Sequence, residues 1–172
     1  RVNKGVKSYD VIASGFNGIF NAKYVKFLSR MEKSKIDSLI DEWKLNNIIN
    51  KDFHALSDGQ KRRILLARSL VFEPKILVLD EPFCNLDIKS NHILSNNLNK
   101  LIRKSLNVVY VTHSLESILP GTNRVILLKD GKINNDGNPK EIITSQVLSD
   151  LFNIPIEVIR QEGYWRGIPV NY

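Results

Sequence analysis

Cysteine is almost missing from this chain. Cys84 is the only one in 172 residues, so no internal disulfide can form and a reducing compartment is the natural expectation. Long hydrophobic runs are missing as well. The longest, such as residues 76–79 and 108–111, are strand-sized and far short of a bilayer span, so the chain is expected to be soluble and to meet a membrane only through a partner. No leader-type pattern stands at the start, and the chain opens on Arg1 where a start methionine would stand, which makes a fragment the working expectation. Acid is in shorter supply than base, with 18 Asp and Glu against 25 Lys and Arg and a net charge of +7. Such an excess suits nucleic acid, anionic lipid or a phosphate chain equally. The basic residues are scattered apart from Lys61-Arg62-Arg63, however, and no nucleic-acid partner is expected. His54 and His92 have no ligand-type neighbour at metal-site spacing.

What is present falls into two styles. Residues 1–55 carry no strong strand signal and read as a small helical subdomain. Ser8 is placed to cap a short helix holding Val11 and Ile12 and closed by Gly15, and residues 16–28 are aromatic-rich and punctuated by glycine. Ile36, Leu39, Ile40 and Trp43 then recur at i, i+3, i+4 and i+7 behind Ser34 as a cap, which predicts an amphipathic helix ending near Asn46-Asn47.

From Ser57 the chain alternates helix with short apolar strand, the pattern of a parallel α/β sheet. The spacing predicts a helix over 58–72 stopped by Pro74, a buried strand over 76–80, a helix over 87–104 with Leu94, Leu98, Leu101 and Ile102 inward, and a strand over 107–112. A strand over 124–129 turns at Asp130-Gly131 toward Lys132-Ile133, a hairpin signal, and Asn138-Pro139 opens a further helix. The domain reading is residues 1–55 as helical subdomain, 56–150 as core, and 151–172 as a tail of unassigned structure.

Two short words carry the chemistry. Leu56-Ser57-Asp58-Gly59-Gln60 places a hydroxyl and a glycine at a helix start, where unpaired backbone N–H groups and the helix dipole favour an anion. Ile76-Leu77-Val78-Leu79-Asp80-Glu81-Pro82 ends a strand in two adjacent carboxylates, where open α/β sheets place their ligands. Neighbouring residues of a strand point to opposite sides, so the two acids are expected to divide their roles, Asp80 toward a Mg²⁺ and Glu81 as a general base. A second strand ends in Val111-Thr112-His113, and Asn85-Leu86-Asp87 lies between, with Asp87 able to cap the helix beside it.

In this order and spacing the motifs resemble the ATP-binding-cassette (ABC) ATPase family over residues 9–165. The resemblance implies the fold class: α/β, an ABC-type P-loop NTPase nucleotide-binding domain, incomplete, with a helical subdomain and the later part of the parallel sheet core. It implies the signature motif at Ser57, Gly59 and Gln60, which would touch the γ-phosphate of ATP held by an opposite cassette. Asp58 stands where glycine is usual; an acid there suits the helix dipole but repels phosphate unless it points away. Asp80 and Glu81 would be the metal ligand and base of Walker B, Asp87 the D-loop contact, and His113 the switch histidine. Implied cofactors are ATP and Mg²⁺. Implied partners are a second cassette, forming a homodimer, and a transmembrane permease docked on the helical subdomain at the inner face of the cell membrane.

The family's P-loop is not here. No Gly-x-x-x-x-Gly-Lys-[Ser/Thr] occurs, and Gly5-Val6-Lys7-Ser8 lacks the glycine before its lysine and follows no strand. Without that loop the α- and β-phosphates have no cradle in cis, so these residues alone are expected to hydrolyse no ATP. The segments Tyr110-Val111-Thr112-His113, residues 116–120 and residues 125–132 are similar to the bacterial branch of molybdenum- or iron-type importer ATPases, which implies a metal or metal oxyanion as cargo. Two alternatives use the same residues: a soluble ABC ATPase of translation or DNA maintenance, and a non-enzymatic half-cassette acting as a binding partner. Phe83-Cys84-Asn85-Leu86-Asp87 differs from the Thr-Asn-His-Leu-Asp of the translation branch, and no heptad array precedes the signature as DNA maintenance would require.

Overall fold

The computed structural model describes residues 5–18 and 28–170. Most of the aromatic stretch at 16–28 lies outside the described residues. The chain forms two compact units, Arg1–Tyr110 and Val111–Tyr172.

In the first unit, α1 (Ser8–Ala13) runs into a 3-10 turn, Ser14–Asn17, closed by Gly18 at φ +66° and not by Gly15. Ser8 is not a cap: its buried hydroxyl donates to the Lys51 carbonyl at 3.1 Å, a tertiary bond that the local sequence does not announce. The helix α2 (Arg30–Glu42) starts at Ser29, a full turn before Ser34. Ser29 Oγ accepts from Glu32 N at 3.2 Å and Glu32 accepts from Ser29 N at 2.7 Å, a reciprocal box. Ser34 and Ser29 each have an acid three residues on, so the pattern alone cannot choose between them. The helix also stops early. Lys44 sits at φ +52°, and the Arg63 guanidinium donates to the Trp43 and Lys44 carbonyls at 2.6 and 2.9 Å, ending α2 from outside. Burial pulls the Arg63 pKa down from its usual value. Of the periodic set, Ile36, Ile40 and Trp43 are buried and Leu39 is half-buried; Leu45, beyond the helix end, is buried as well.

Three further elements lead to the strand pair. They are α3 (Asp58–Leu70), β1 (Ile76–Asp80) and α4 (Ile88–Arg103), and β2 (Asn107–Val111) then pairs with β1 in a two-stranded sheet. Leu94, Leu98 and Leu101 of α4 are buried, as the spacing predicts, whereas Ile102 is only half-buried. β1 is buried on one face only: Leu77 is 5% exposed, whereas Ile76 and Val78 are 58% and 69% exposed. Val109 and Val111 of β2 are likewise open. An apolar run without alternation predicts a strand covered on both faces. Among the described residues only one face has a covering layer, and the pleat sends alternate side chains to the bare one.

The second unit opens at Val111, the last residue of β2. Strands β3 (Val125–Lys129) and β4 (Lys132–Gly137) form the expected antiparallel hairpin around Asp130 and Gly131 at φ +51° and +73°, with a register shift between Leu127 and Leu128. Asn138 caps α5 (Pro139–Ile142), accepting from Lys140 N at 3.0 Å. Thr144 caps α6 (Ser145–Phe152), which ends at Asn153 in the left-handed region. The unassigned tail is a second antiparallel hairpin, β5 (Ile156–Gln161) with β6 (Tyr164–Pro169). Trp165 of β6 joins Ile118, Ile143, Leu148 and Ile156 in the core of this unit.

Candidate functional site

The site is assembled around the N-terminus of α3. Ser57 is its cap: Ser57 Oγ accepts from Gln60 N at 3.3 Å, and the Gln60 side-chain oxygen accepts from Ser57 N at 3.1 Å. The two polar side chains thereby hold each other across the first turn. Asp58 points outward, 78% exposed, and pairs with Lys61 at 3.7 Å. That answers the electrostatic objection to an acid at this position, because its charge faces solvent and a lysine.

Gly59 is buried, and what fills the space beside it is protein. A Cβ there would lie 2.5 Å from Ser90 Oγ, 2.7 Å from Ser90 Cβ and 3.6 Å from Leu86 Cδ2. The missing side chain lets α3 sit against the first turn of α4. Ser90 is itself fixed from the other side: Asp87 accepts from Ser90 N at 2.7 Å and from Ser90 Oγ at 3.2 Å. Those bonds, the backbone one first, hold the Asp87 carboxyl below its usual pKa. Gly59 and Asp87 are therefore two ends of one contact through Ser90.

A second tie joins α3 to the acidic strand end. Arg62, one turn further along α3, donates to the Glu81 carbonyl, which also accepts from Cys84 N at 3.2 Å. β1 ends at Asp80, which is exposed, and Glu81 has already left the strand with φ +44°. Strand alternation thus does not set the directions of the two acids. A turn of the backbone does, and it holds a non-glycine residue in the left-handed region at some cost. Asn85 repeats this at φ +58° just before the Asp87 cap. Phe83 is buried beneath the same loop and meets Tyr110 edge to face at 6.1 Å between centroids.

Comparison with known proteins points to one family. The profile of the ABC transporter family matches residues 7–84, from α1 through the acidic strand end. The chain is 38% identical over 116 residues to the Fe(3+) ions import ATP-binding protein FbpC of Rhizobium etli, covering 63% of this chain and 33% of that protein. It is 33% identical over 155 residues to the spermidine/putrescine import ATP-binding protein PotA of Acetivibrio thermocellus, covering 86% of this chain and 44% of that one. An inward-facing conformation of an ABC transporter superposes with a TM-score of 0.81 at 24% identity, covering 96% of this chain and 67% of that one. The chain belongs to the ABC transporter ATP-binding family. It has the ABC-type nucleotide-binding domain fold, and it spans less than half the length of the two import proteins just named.

The first unit holds Ser57, Gly59 and Gln60 at the start of α3, the acids Asp80 and Glu81 at the end of β1, and Asp87 at the start of α4, with α3 joined to the other two segments through Arg62 and Ser90. His113, exposed just beyond β2, belongs to the second unit. Arg62 and Ser90 were not among the residues expected from sequence. Lys61-Arg62-Arg63 was visible there only as a short basic run, and Ser90 only as a polar residue early in a helix. As for Mg²⁺, the Asp80 carboxylate is a hard oxygen donor standing open at a strand end, which suits an ion that keeps most of its ligands as water and phosphate oxygen. Among the described residues no group of three His, Cys, Asp or Glu forms a metal cage, so Asp80 fits as one ligand and not as a complete site. No described helix is long and apolar enough to cross a membrane.

Proposed function

We propose that this chain is the signature-bearing part of an ATPase that works as a pair of cassettes to drive import through a membrane permease. In that reading Ser57, Gln60 and the backbone at Gly59 bind the γ-phosphate of ATP held by the opposite cassette. Asp80 binds the Mg²⁺, which would supply charge neutralisation on the phosphates. Glu81 takes the proton of the attacking water, His113 donates a hydrogen bond to the γ-phosphate, and Asp87 meets the partner cassette, a second copy of the same chain. Residues 1–55 serve as the permease-docking subdomain, residues 56–150 as the ATPase core, and the assembly lies on the cytoplasmic face of the membrane. Alone, without a phosphate cradle in cis, the 172 residues turn over no ATP.

The observation that carries the proposal is the bonding of α3 to both neighbouring motifs, through Arg62 to the Glu81 carbonyl and through Gly59 and Ser90 to Asp87. Such ties let phosphate engagement at the helix start reach the base and the D-loop together. The FbpC likeness and the branch resemblance support a metal cargo, and the PotA likeness supplies the rival, a polyamine. The test is Glu81→Gln in the full-length protein: an ATP-bound dimer should accumulate on gel filtration with turnover nearly abolished. Wild-type turnover in that variant would refute Glu81 as base. Uptake of radiolabelled iron, molybdate or spermidine by cells carrying the intact transporter then assigns the cargo.

A further inference from the structure

The tail hairpin has two outer edges, and they are built differently. β6 carries Pro169, which has no N–H to offer a neighbouring strand. β5 contains neither proline nor lysine, and Ile156, Val158 and Ile159 give it the composition of an edge that recruits another strand. Its Arg160 lies over the Trp165 ring at 4.9 Å and so does not guard the edge as a free charge. What meets this edge is a helix. Ile156 N donates to Ser149 Oγ at 2.9 Å, and Val158 N donates to Ser145 Oγ at 3.0 Å. Ser149 Oγ in turn donates to the Ser145 carbonyl at 2.6 Å, which turns its lone pairs toward the strand, and it lies 3.4 Å from the Ile156 carbonyl. The spacings agree: four residues of helix advance about 6.0 Å and two residues of strand about 6.6 Å, so serines one turn apart fall opposite alternate amides. The helix is itself anchored. Leu148 is fully buried, Val147 N donates to Thr144 Oγ1 at 3.2 Å in the first turn, and Lys129 Nζ donates to the Asp150 carbonyl and Asn153 Oδ1 at 2.6 and 3.0 Å at the other end.

We propose that α6 acts as a surrogate strand, its Ser145 and Ser149 hydroxyls occupying the outer edge of β5 and so preventing that edge from pairing with β5 of another copy of this chain. The inference is independent of the ATP reading, because none of these residues belongs to the site described above. Outward N–H groups at alternate positions are the template on which a strand adds, and they lose that role once bonded. An incoming strand would have to break both serine bonds and lift a helix rooted by Leu148. Serine is a middling helix former, and its use twice on one face of an eight-residue helix is explained by the strand it faces.

The test is amide hydrogen exchange in dilute solution, with sedimentation velocity over a range of concentrations, on the full-length protein without nucleotide. In Ser145→Ala/Ser149→Ala the Ile156 and Val158 amides should exchange about fivefold faster than in the wild type. Ser145→Thr/Ser149→Thr, which keeps both hydroxyls, should match the wild type. The alanine variant should also gain a larger species that grows with concentration, and adding Val158→Pro, which removes an outward N–H and bars strand addition, should abolish it. If the alanine pair fails to fold, Ser145→Ala alone, which loses only the bond to Val158 N at an exposed position, carries the same comparison at Val158. Unchanged exchange at Ile156 and Val158, the absence of any larger species, or a larger species that persists with Val158→Pro overturns the proposal.

Discussion

Adding one methyl group at Gly59 sets two principles against each other. Glycine inside a helix is less favourable than alanine by about 0.5–1 kcal/mol, so propensity alone predicts that Gly59→Ala stabilises the protein. The packing predicts the reverse. The new Cβ would stand 2.5 Å from Ser90 Oγ and 2.7 Å from Ser90 Cβ. The hydroxyl can rotate away, but Ser90 Cβ is rooted in the backbone of α4, so α3 and α4 must move apart. Overpacking of this kind costs about 1–3 kcal/mol, and separating the helices also loosens the turn that Asp87 caps. The net expectation is destabilisation of about 1–2 kcal/mol in the full-length protein, read as a lower urea midpoint at constant slope. Ser90→Gly in the same chain removes both obstructing atoms. It should recover stability only in part, since it also deletes the Ser90 hydroxyl bond to Asp87 and places glycine in a helix. A Gly59→Ala protein at least as stable as wild type would refute the argument, and would return this glycine to the simpler role of admitting phosphate to the helix start.

Two other outcomes are expected beside those for Glu81 and the α6 serines. Trp165→Ala removes the largest side chain of the second unit's core and should cost about 3–5 kcal/mol by chemical unfolding, whereas a cost below about 1 kcal/mol would mean that the hairpin does not anchor this unit. Asp136 accepts from Arg124 Nε and Nη2 at 2.8 and 2.7 Å, which holds its carboxyl below the usual carboxylate range. A depressed folded pKa adds stability that is fully present above the unfolded value of about 3.9 and is lost as the pH falls through the folded value. Asp136→Asn should therefore flatten the fall of Tm in acid, and an unchanged acid limb would contradict the pairing.

How far the sequence revealed this molecule depended on how local each cause was. The extent of β1, the caps at Ser57, Asp87 and Asn138 and the Asp130-Gly131 turn are set by neighbouring residues, and each was legible. The start of α2 was not, because the competing serines differ only in what surrounds them. Its end was missed for another reason: the guanidinium that terminates it comes from Arg63 in a different helix. The hairpin β5–β6 was hidden because its outward residues mix charge with apolar side chains, among them exposed Ile159 and Ile168, and only one face of Trp165's surroundings explains the pattern. At the site, residue types in order were enough to point to the ABC family. The connections were not readable, since Arg62 and Ser90 acquire their roles only when α3 is laid beside the strand end and α4.

Those connections bear on why the signature word is built from small and mutually bonded residues. Ser57 and Gln60 satisfy each other across the cap, so the helix start is already ordered before any phosphate arrives. In the proposed role, an anion arriving there would meet N–H groups already in place and would not pay for ordering them. The same helix carries Arg62 to the backbone carbonyl of Glu81, so a shift of α3 along its axis pulls on the turn that sets the direction of Glu81. Its glycine meanwhile rests on Ser90, so that shift also reaches the cap of α4 and Asp87. A longer side chain at Gly59 would weaken both the approach to phosphate proposed for it and the contact through Ser90 to Asp87. Glycine here is required twice over, once by the ligand proposed for it and once by the neighbour it visibly touches.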